Sequence, residues 1–183
     1  MFTKIILSGF GGQGILFAGK NLALCGMNSG CEISWLPSYG PEMRGGTANC
    51  SVCISDDPIG SPLVTVPDIA VVMNTPSFDR FEPVVASGGH LFVDSSMTDR
   101  VSARNDIHCH YIAASETAEK NGISGMANII ILGRMIAECK ELLPWITVDT
   151  VKGAVKGLVS GNKEKLITQN MTALSIGAIG AAS

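Results

Sequence analysis

The chain has 183 residues and a formal net charge of −3, and only 16% of its residues are charged, below the ~25% of typical soluble domains. The small acidic charge argues against a general binder of nucleic acid or of anionic membranes. The length suits one domain with a single large core, residues 1–183. So few charges predict that part of the surface is covered by a partner. No signal-peptide pattern opens the sequence, and we expect a cytoplasmic protein.

The first elements are a strand, a glycine turn and a helix, within Lys4 to Met27. Gly9, Gly11 and Gly14 fit the spacing G-x-G-x-x-G, in which N–H groups at the helix start can face an anion. A bound dinucleotide would also need an acidic residue ~20 residues further on, for which Glu32 is the candidate. The alternative is a turn that only packs helix onto sheet. We predict a ligand- or interface-binding turn formed by Gly9, Gly11, Gly12, Gln13 and Gly14.

The second unusual stretch runs from Pro37 to Gly46 and contains two prolines and three glycines. This composition predicts a loop without regular structure, after a short strand over residues 31–36. Loops on an α/β scaffold often carry sites. The alternative is a solvated connector in which Glu42 and Arg44 pair with each other. We predict a ligand- or interface-binding loop whose site residues are Tyr39, Glu42, Arg44, Gly45 and Gly46.

Six cysteines and three histidines supply candidate metal or redox groups. Cys50 and Cys53 form a C-x-x-C, but residues three apart on a strand point to opposite faces. We therefore expect small buried thiols there rather than a redox pair or half a zinc site. His108 and His110 could share a face of a predicted strand. Because no third ligand occurs at metal spacing, we expect exposed strand residues and no metal site.

Strands and helices alternate along the rest of the chain. Continuous apolar runs at 69–73 and 91–93 are typical of strands buried on both faces of a parallel sheet. This order predicts an α/β fold with a doubly wound, mainly parallel sheet, a Rossmann-like start and a helical C-terminal part. The glycine turn and Asn74 then follow carboxyl ends of strands, at the rim where such sheets bind ligands. Thr75 before Pro76 predicts a helix N-cap.

The C-terminal part predicts four helices, beginning at residue 115, spanning 128–143 and 147–159, and starting again at 162. The tail after Lys165 carries no charge at all. A neutral but partly polar helix suits burial against a partner. A core helix of the same domain is an equal alternative.

Three stretches, GFGGQGILFAGK, SYGPEMRGGTANCSVCIS and ANIIILG, resemble in this order the gamma subunit of 2-oxoacid:ferredoxin oxidoreductases. The similarity covers essentially the whole chain, and the pattern from Tyr39 to Gly46 is its most specific part. We include Asn128, in the last stretch, among the predicted ligand- or interface-binding residues. The resemblance implies a complex that decarboxylates a 2-oxoacid oxidatively to an acyl-CoA. Thiamine diphosphate carries the acyl group there, and iron–sulfur clusters pass electrons to ferredoxin.

The chain departs from the complete enzyme because it lacks the Gly-Asp-Gly and downstream Asn that would hold magnesium and thiamine diphosphate. It also lacks the cysteine pattern of an iron–sulfur cluster. The resemblance therefore implies that this chain binds no cofactor alone, has no catalytic residue of its own and is inactive alone. Alpha and beta subunits, which bind thiamine diphosphate, and a ferredoxin-like subunit would be its partners, with no nucleic acid and no membrane.

The substrate is less clearly indicated. The form PEMRGG resembles the 2-oxoglutarate or branched-chain oxoacid enzymes more than the pyruvate enzymes. The indolepyruvate oxidoreductases share the GGQG and RGG elements and stay a within-family alternative. The alternative from another class is a free-standing Rossmann-type dinucleotide-binding module or dehydrogenase, which would use the glycine turn and Glu32.

Overall fold

The computed structural model describes residues 1–39, 47–159 and 163–180, with the backbone alone at residues 39 and 47. The strands are β1 (Phe2–Phe10), β2 (Glu32–Tyr39), β3 (Thr47–Ser55), β4 (Ile69–Val72), β5 (His90–Asp94) and β6 (His108–Ile112). The helices are α1 (Ile15–Asn28), α2 (Thr75–Phe81), α3 (Ala114–Lys120), α4 (Ala127–Glu138), α5 (Val148–Leu158) and α6 (Glu164–Ile179). A 3₁₀ turn, Glu82–Val84, follows α2.

The strands form one sheet in the order β2-β3-β1-β4-β5-β6. The pairs β1–β4, β4–β5 and β5–β6 are parallel, whereas β3 is antiparallel to both β1 and β2. The mainly parallel sheet is confirmed, with β3 as its one reversed strand. Because two reversals restore direction, β2 runs the same way as β1. The carboxyl ends of every described strand except β3 therefore meet at one rim.

Helices cover both faces of the sheet, which confirms the doubly wound architecture. The larger apolar cluster lies under α1 and the C-terminal helices and includes Leu22, Ile129 and Val155. The smaller cluster lies under α2 and includes Phe78 and Phe81. In the described residues no helix has the length and apolar character needed to cross a bilayer.

Strand β2 is longer than predicted, because it continues through Pro37 to Tyr39. Pro37 pairs in register with Cys50 of β3. β2 is the outermost strand on its side of the described sheet. A proline is tolerated at an edge because its missing N–H is not needed by a further strand. The prediction of a loop from residue 37 was therefore wrong for its first three residues.

Two predicted helix boundaries were also wrong. The N-cap of α2 is Asn74 rather than Thr75, since Asn74 Oδ1 accepts the backbone N–H of Ser77 at 2.8 Å. Helix α4 ends at Glu138 rather than at residue 143. Leu143 N–H still bonds to the carbonyl of Cys139, and both side chains are buried. These apolar residues after Glu138 are buried in turns rather than in the helix, so their pattern made the helix look longer than it is.

The neutral tail forms α6, which packs on α4 within this same unit. Ala173, Leu174 and Gly177 are buried. The contact is backbone to backbone, because a Cβ added to Gly177 would collide with the carbonyl oxygen of Ile130, and one added to Gly133 with that of Leu174. Of the two alternatives for the tail, the core helix is confirmed.

The histidine prediction holds only in part. His108 is exposed, as expected, but His110 is half-buried. His110 lies beside His90, with 3.0 Å between Nε2 and Nδ1. The expectation of an exposed His110 was wrong because β6 pairs with β5, and this register sets the His110 ring against Phe92.

Candidate functional site

The candidate site lies at the carboxyl rim, where the glycine turn meets the ends of β2 and β4. Phe10, the last residue of β1, pairs with Thr47, and Tyr39 pairs with Ala48. The described residues on either side of positions 40–46 therefore lie at the same rim as the glycine turn, with Thr47 next to it. Glu42, Arg44, Gly45 and Gly46 themselves lie outside the described residues, and their roles stay predictions. The same holds for the side chain of Tyr39.

The turn depends on glycine at two positions. Gly12 has φ +97° and Gly14 has φ +74°, a region that other residues rarely adopt. Gly14 is the N-cap of α1 and provides no side-chain acceptor for the first N–H groups of the helix. Gly11 and Gly12 are exposed. The start of α1 therefore offers positive electrostatic potential at an open surface.

Gln13 braces this turn from inside. Its Oε1 accepts the backbone N–H of Phe10 at 2.6 Å, and its Nε2 donates to the carbonyl of Met73 at 3.0 Å. A Cβ added to Gly9 would lie 2.6 Å from the same Oε1. These two hydrogen bonds of Gln13 join the turn to the end of β4. They require glycine at position 9, because a Cβ there would collide with the Gln13 side chain. Both polar atoms of the Gln13 side chain thus have backbone partners, and its binding role stays a prediction.

Two asparagines flank the turn, each with one unpaired polar atom. Asn128 Nδ2 donates to the carbonyl of Gly14 at 3.0 Å, and a Cβ added to Gly14 would lie 2.5 Å from this nitrogen. Asn74 and Asn128 are only 1% and 6% exposed. Their backbone partners fix the amide orientations. Asn74 Nδ2 is thereby left as a donor, and Asn128 Oδ1 as an acceptor, with no partner among the described residues.

A small cavity of about 150 Å³ lies beside the turn, closed by the connection between α3 and α4. Its lining includes Gly12, Gln13, Ser115, Glu119 and Ser124. Sequence reasoning missed the last three, because no local signal shows that α3 and the connection after it pack beside the turn. The carboxylate of Glu119 disfavours an anion inside the cavity. An anion would therefore approach the exposed outer side at Gly11 and Gly12.

Asp94, at the end of β5, is occupied by structural hydrogen bonds. Its Oδ1 accepts N–H groups of Ser96 and Ala114, each at 3.1 Å, and of Ser115 at 3.3 Å. Its Oδ2 accepts the hydroxyl of Ser115 at 2.6 Å. The buried carboxylate therefore fixes the start of α3 and leaves no oxygen free for a ligand.

The dinucleotide alternative conflicts with the position of Glu32 in the sheet. Glu32 pairs with Ser55, whereas the glycine turn adjoins Thr47 at the opposite end of β3. The two ends of β2, an eight-residue strand, are seven residue steps apart, about 23 Å at ~3.3 Å per residue. Glu32 cannot hold the ribose of a nucleotide whose phosphates lie at the turn. The physical cause is that Glu32 opens β2 and so lies at the amino end of that strand, away from the carboxyl rim.

The cysteines do not fit an iron–sulfur cluster or a redox pair. Burial raises the pKa of the Cys25, Cys50 and Cys139 thiols to about 12, whereas cluster ligands are thiolates. Cys50 and Cys53 are 0% and 1% exposed, as expected of small apolar side chains. Within residues 1–39, 47–159 and 163–180, no three His, Cys, Asp or Glu side chains are arranged to hold a metal ion.

Comparison with curated proteins gives relatives of the predicted kind. The chain is 39% identical over 176 residues to the ketoisovalerate oxidoreductase subunit VorA of Methanothermobacter thermautotrophicus, covering 96% of this chain and 36% of the relative. It is 34% identical over 175 residues to the 2-oxoglutarate synthase subunit KorC of Methanothermobacter marburgensis, covering 91% and 92%. The chain thus spans about a third of the length of the first curated relatives it matches.

A solved structure and a family model agree with these relatives. The keto/oxoacid ferredoxin oxidoreductase gamma subunit from Geobacter sulfurreducens superposes with a TM-score of 0.84 at 28% identity, covering 100% of this chain and 97% of that one. The family model described as "Pyruvate ferredoxin/flavodoxin oxidoreductase" matches residues 4–178. Because this match covers nearly the whole chain, the chain belongs to the pyruvate ferredoxin/flavodoxin oxidoreductase family.

Proposed function

We propose that this chain is the gamma-type accessory unit of a 2-oxoacid:ferredoxin oxidoreductase, and that residues 1–183 act as one domain. The observation that carries the proposal is its near full-length similarity to KorC and to a gamma subunit. The substrate is 2-oxoglutarate or a branched-chain oxoacid, the two classes named for its relatives. Pyruvate and indolepyruvate are the within-family alternatives.

Partners supply the cofactors. Alpha and beta subunits would hold thiamine diphosphate and magnesium, and thiamine diphosphate would supply the chemistry of decarboxylation. A ferredoxin-like subunit holds the iron–sulfur clusters that lead to ferredoxin. The buried, protonated thiols of Cys25, Cys50 and Cys139 support this division of labour, because they are unsuited to cluster ligation.

The role of this chain's own residues is to bind an anionic group and to hold the glycine turn in position for it. The exposed backbone at Gly11 and Gly12, at the start of α1, suits a phosphate of CoA or a carboxylate. The guanidinium of Arg44 adds a bidentate contact to the same kind of group. Glu42 orients Arg44 or reaches a partner. The side-chain amide of Asn128 donates to the carbonyl of Gly14 and so fixes that residue. Gln13 holds the turn against β4.

Reconstitution tests the accessory role. The purified chain, supplied with thiamine diphosphate, magnesium, CoA and a ferredoxin or viologen acceptor, should oxidise none of the four oxoacid classes. Activity should appear when the alpha, beta and ferredoxin-like subunits are added, and the preferred acid should be 2-oxoglutarate or a branched-chain acid. Turnover by this chain alone would overturn the proposal, as would full activity of the other subunits without it.

Arg44→Ala tests the ligand-binding role of the loop. In the assembled complex we expect a tenfold or larger rise in KM for CoA with little change in kcat, since a phosphate contact mainly supports binding. Arg100→Ala is the matched control, because Arg100 is exposed and pairs only with Asp79 at 3.1 Å among the described residues. An unchanged KM for CoA with normal assembly would exclude Arg44 as a ligand. Weakened assembly with unchanged KM would assign the loop to docking.

A further inference from the structure

All three histidines of the chain lie together on the α4 side of β5 and β6. His90 pairs in register with His108, and Phe92 with His110. His90 Nδ1 is 3.0 Å from His110 Nε2, within hydrogen-bonding distance. The two rings are parallel at 5.3 Å, and His110 stacks on Phe92 at 4.4 Å. The His108 ring lies 4.8 Å from that of His90.

The cluster lies against the C-terminal part of α4, where Arg134 and Glu138 form an ion pair with 3.1 Å between Nε and Oε1. Burial, reinforced by His108 and opposed by Glu138, lowers the pKa of His90. Burial also lowers the pKa of His110, to about 4; His90, Arg134 and His108 add to this effect, and Glu138 opposes it. Both imidazoles are therefore neutral at pH 7, so that one donates its N–H and the other accepts.

We propose that the His90–His110 pair is an acid-sensitive clasp, which holds the outer strand β6 to β5 beneath α4 and loosens β6 on acidification. The neutral pair can bind one additional proton and keep its hydrogen bond, because one ring still has a free nitrogen to accept. A second additional proton removes that acceptor and breaks the contact. β6 is the outermost strand on its side of the described sheet, so β5 is its one strand partner there. The other parallel strands carry no histidine and should stay paired.

The clasp is placed where it can affect the rim. β6 ends at Ile112 and leads directly into α3, which begins at Ala114. Ser115 and Glu119 of α3 line the cavity beside the glycine turn. Loosening of β6 would therefore disturb the wall of the candidate site. This inference does not depend on the identity of the oxoacid or of the partners.

The sign of the pH effect follows from proton binding. An unfolded or locally opened histidine has a pKa near ~6.5, above the pKa in the closed state. The open state therefore binds more protons below that value. Closure is fully favoured above about pH 6.5 and is progressively lost as the pH falls toward about 4.

Amide hydrogen exchange on the complete 183-residue chain measures the clasp. Between pH 7.5 and pH 5, protection factors corrected for intrinsic rates should fall about tenfold or more in β6 relative to β4. His110→Phe keeps a ring to stack on Phe92 but cannot titrate, and it should markedly reduce this difference, leaving only the part due to His90. His108→Gln is the matched control and should retain it, because His108 is exposed. A fall of equal size in His110→Phe would overturn the proposal.

Imidazole titration by NMR decides the question in the wild-type chain, even if His110→Phe fails to fold. We expect the pKa values of His90 and His110 both to lie below that of an unburied histidine, and the two rings to show coupled shifts. Ordinary, independent titrations of both rings at or above pH 6.5 would show that no clasp exists.

Discussion

Replacing Gly177 by alanine should lower the free energy of unfolding by about 3 kcal/mol or more, at the upper end of overpacking costs. The added Cβ would collide with the carbonyl oxygen of Ile130 and lie 2.9 Å from its carbonyl carbon and 3.0 Å from the Arg134 nitrogen. These neighbours are backbone atoms of α4, so no side-chain rotation relieves the collision. The two helices would have to separate, which exposes Ala173 and Leu174.

Chemical denaturation followed by circular dichroism measures this change. Gly153→Ala is the matched control, because Gly153 is also helical but has no atom within 4 Å of an added Cβ. Alanine there should stabilise the chain by about 0.5–1 kcal/mol through helix propensity. If Gly177→Ala were as stable as wild type, the close contact between α4 and α6 would be disproved, and the neutral tail would again be a candidate partner helix.

Asp94→Ala should lower the free energy of unfolding by about 3 kcal/mol or more. Hydrogen bonds to a charged acceptor contribute ~1.5–3 kcal/mol each, and their loss leaves the donor groups unpaired. The carboxylate is fully buried and accepts hydrogen bonds from the backbone of Ser96, Ala114 and Ser115 and from the Ser115 hydroxyl. Its loss should also release the start of α3. The cavity beside the glycine turn would then lose its Ser115 wall.

Thermal and denaturant unfolding, together with exchange of the α3 amides, measure the effect of Asp94→Ala. Asp79→Ala is the control, since Asp79 and Arg100 are 51% and 54% exposed and form a surface ion pair, worth about 1 kcal/mol or less. Equal stability of the two variants would contradict a structural role for Asp94. The carboxylate at the rim would then be available to a ligand.

Features that depend on a few neighbouring residues could be read from the sequence. The glycine turn at 9–14, the buried runs of β4 and β5 and the C-terminal helices were predicted in kind and place. Helix α5 lies within its predicted range and begins with a capping box between Thr147 and Thr150. Hydrophobic period, turn chemistry and caps are local properties, so they need no knowledge of the fold. The family was likewise indicated by linear motifs.

Only the tertiary structure decided which of these elements meet. Insertion of β3 between β1 and β2 leaves β2 at the edge of the described sheet, where Pro37 is tolerated. The contact of Asn128 with Gly14 spans 114 residues, and that of His90 with His110 joins two strands. Strand order and such distant contacts depend on which of many possible packing arrangements of the whole chain has the lowest free energy. A short sequence pattern does not show which arrangement that is, because it reports only on neighbouring residues.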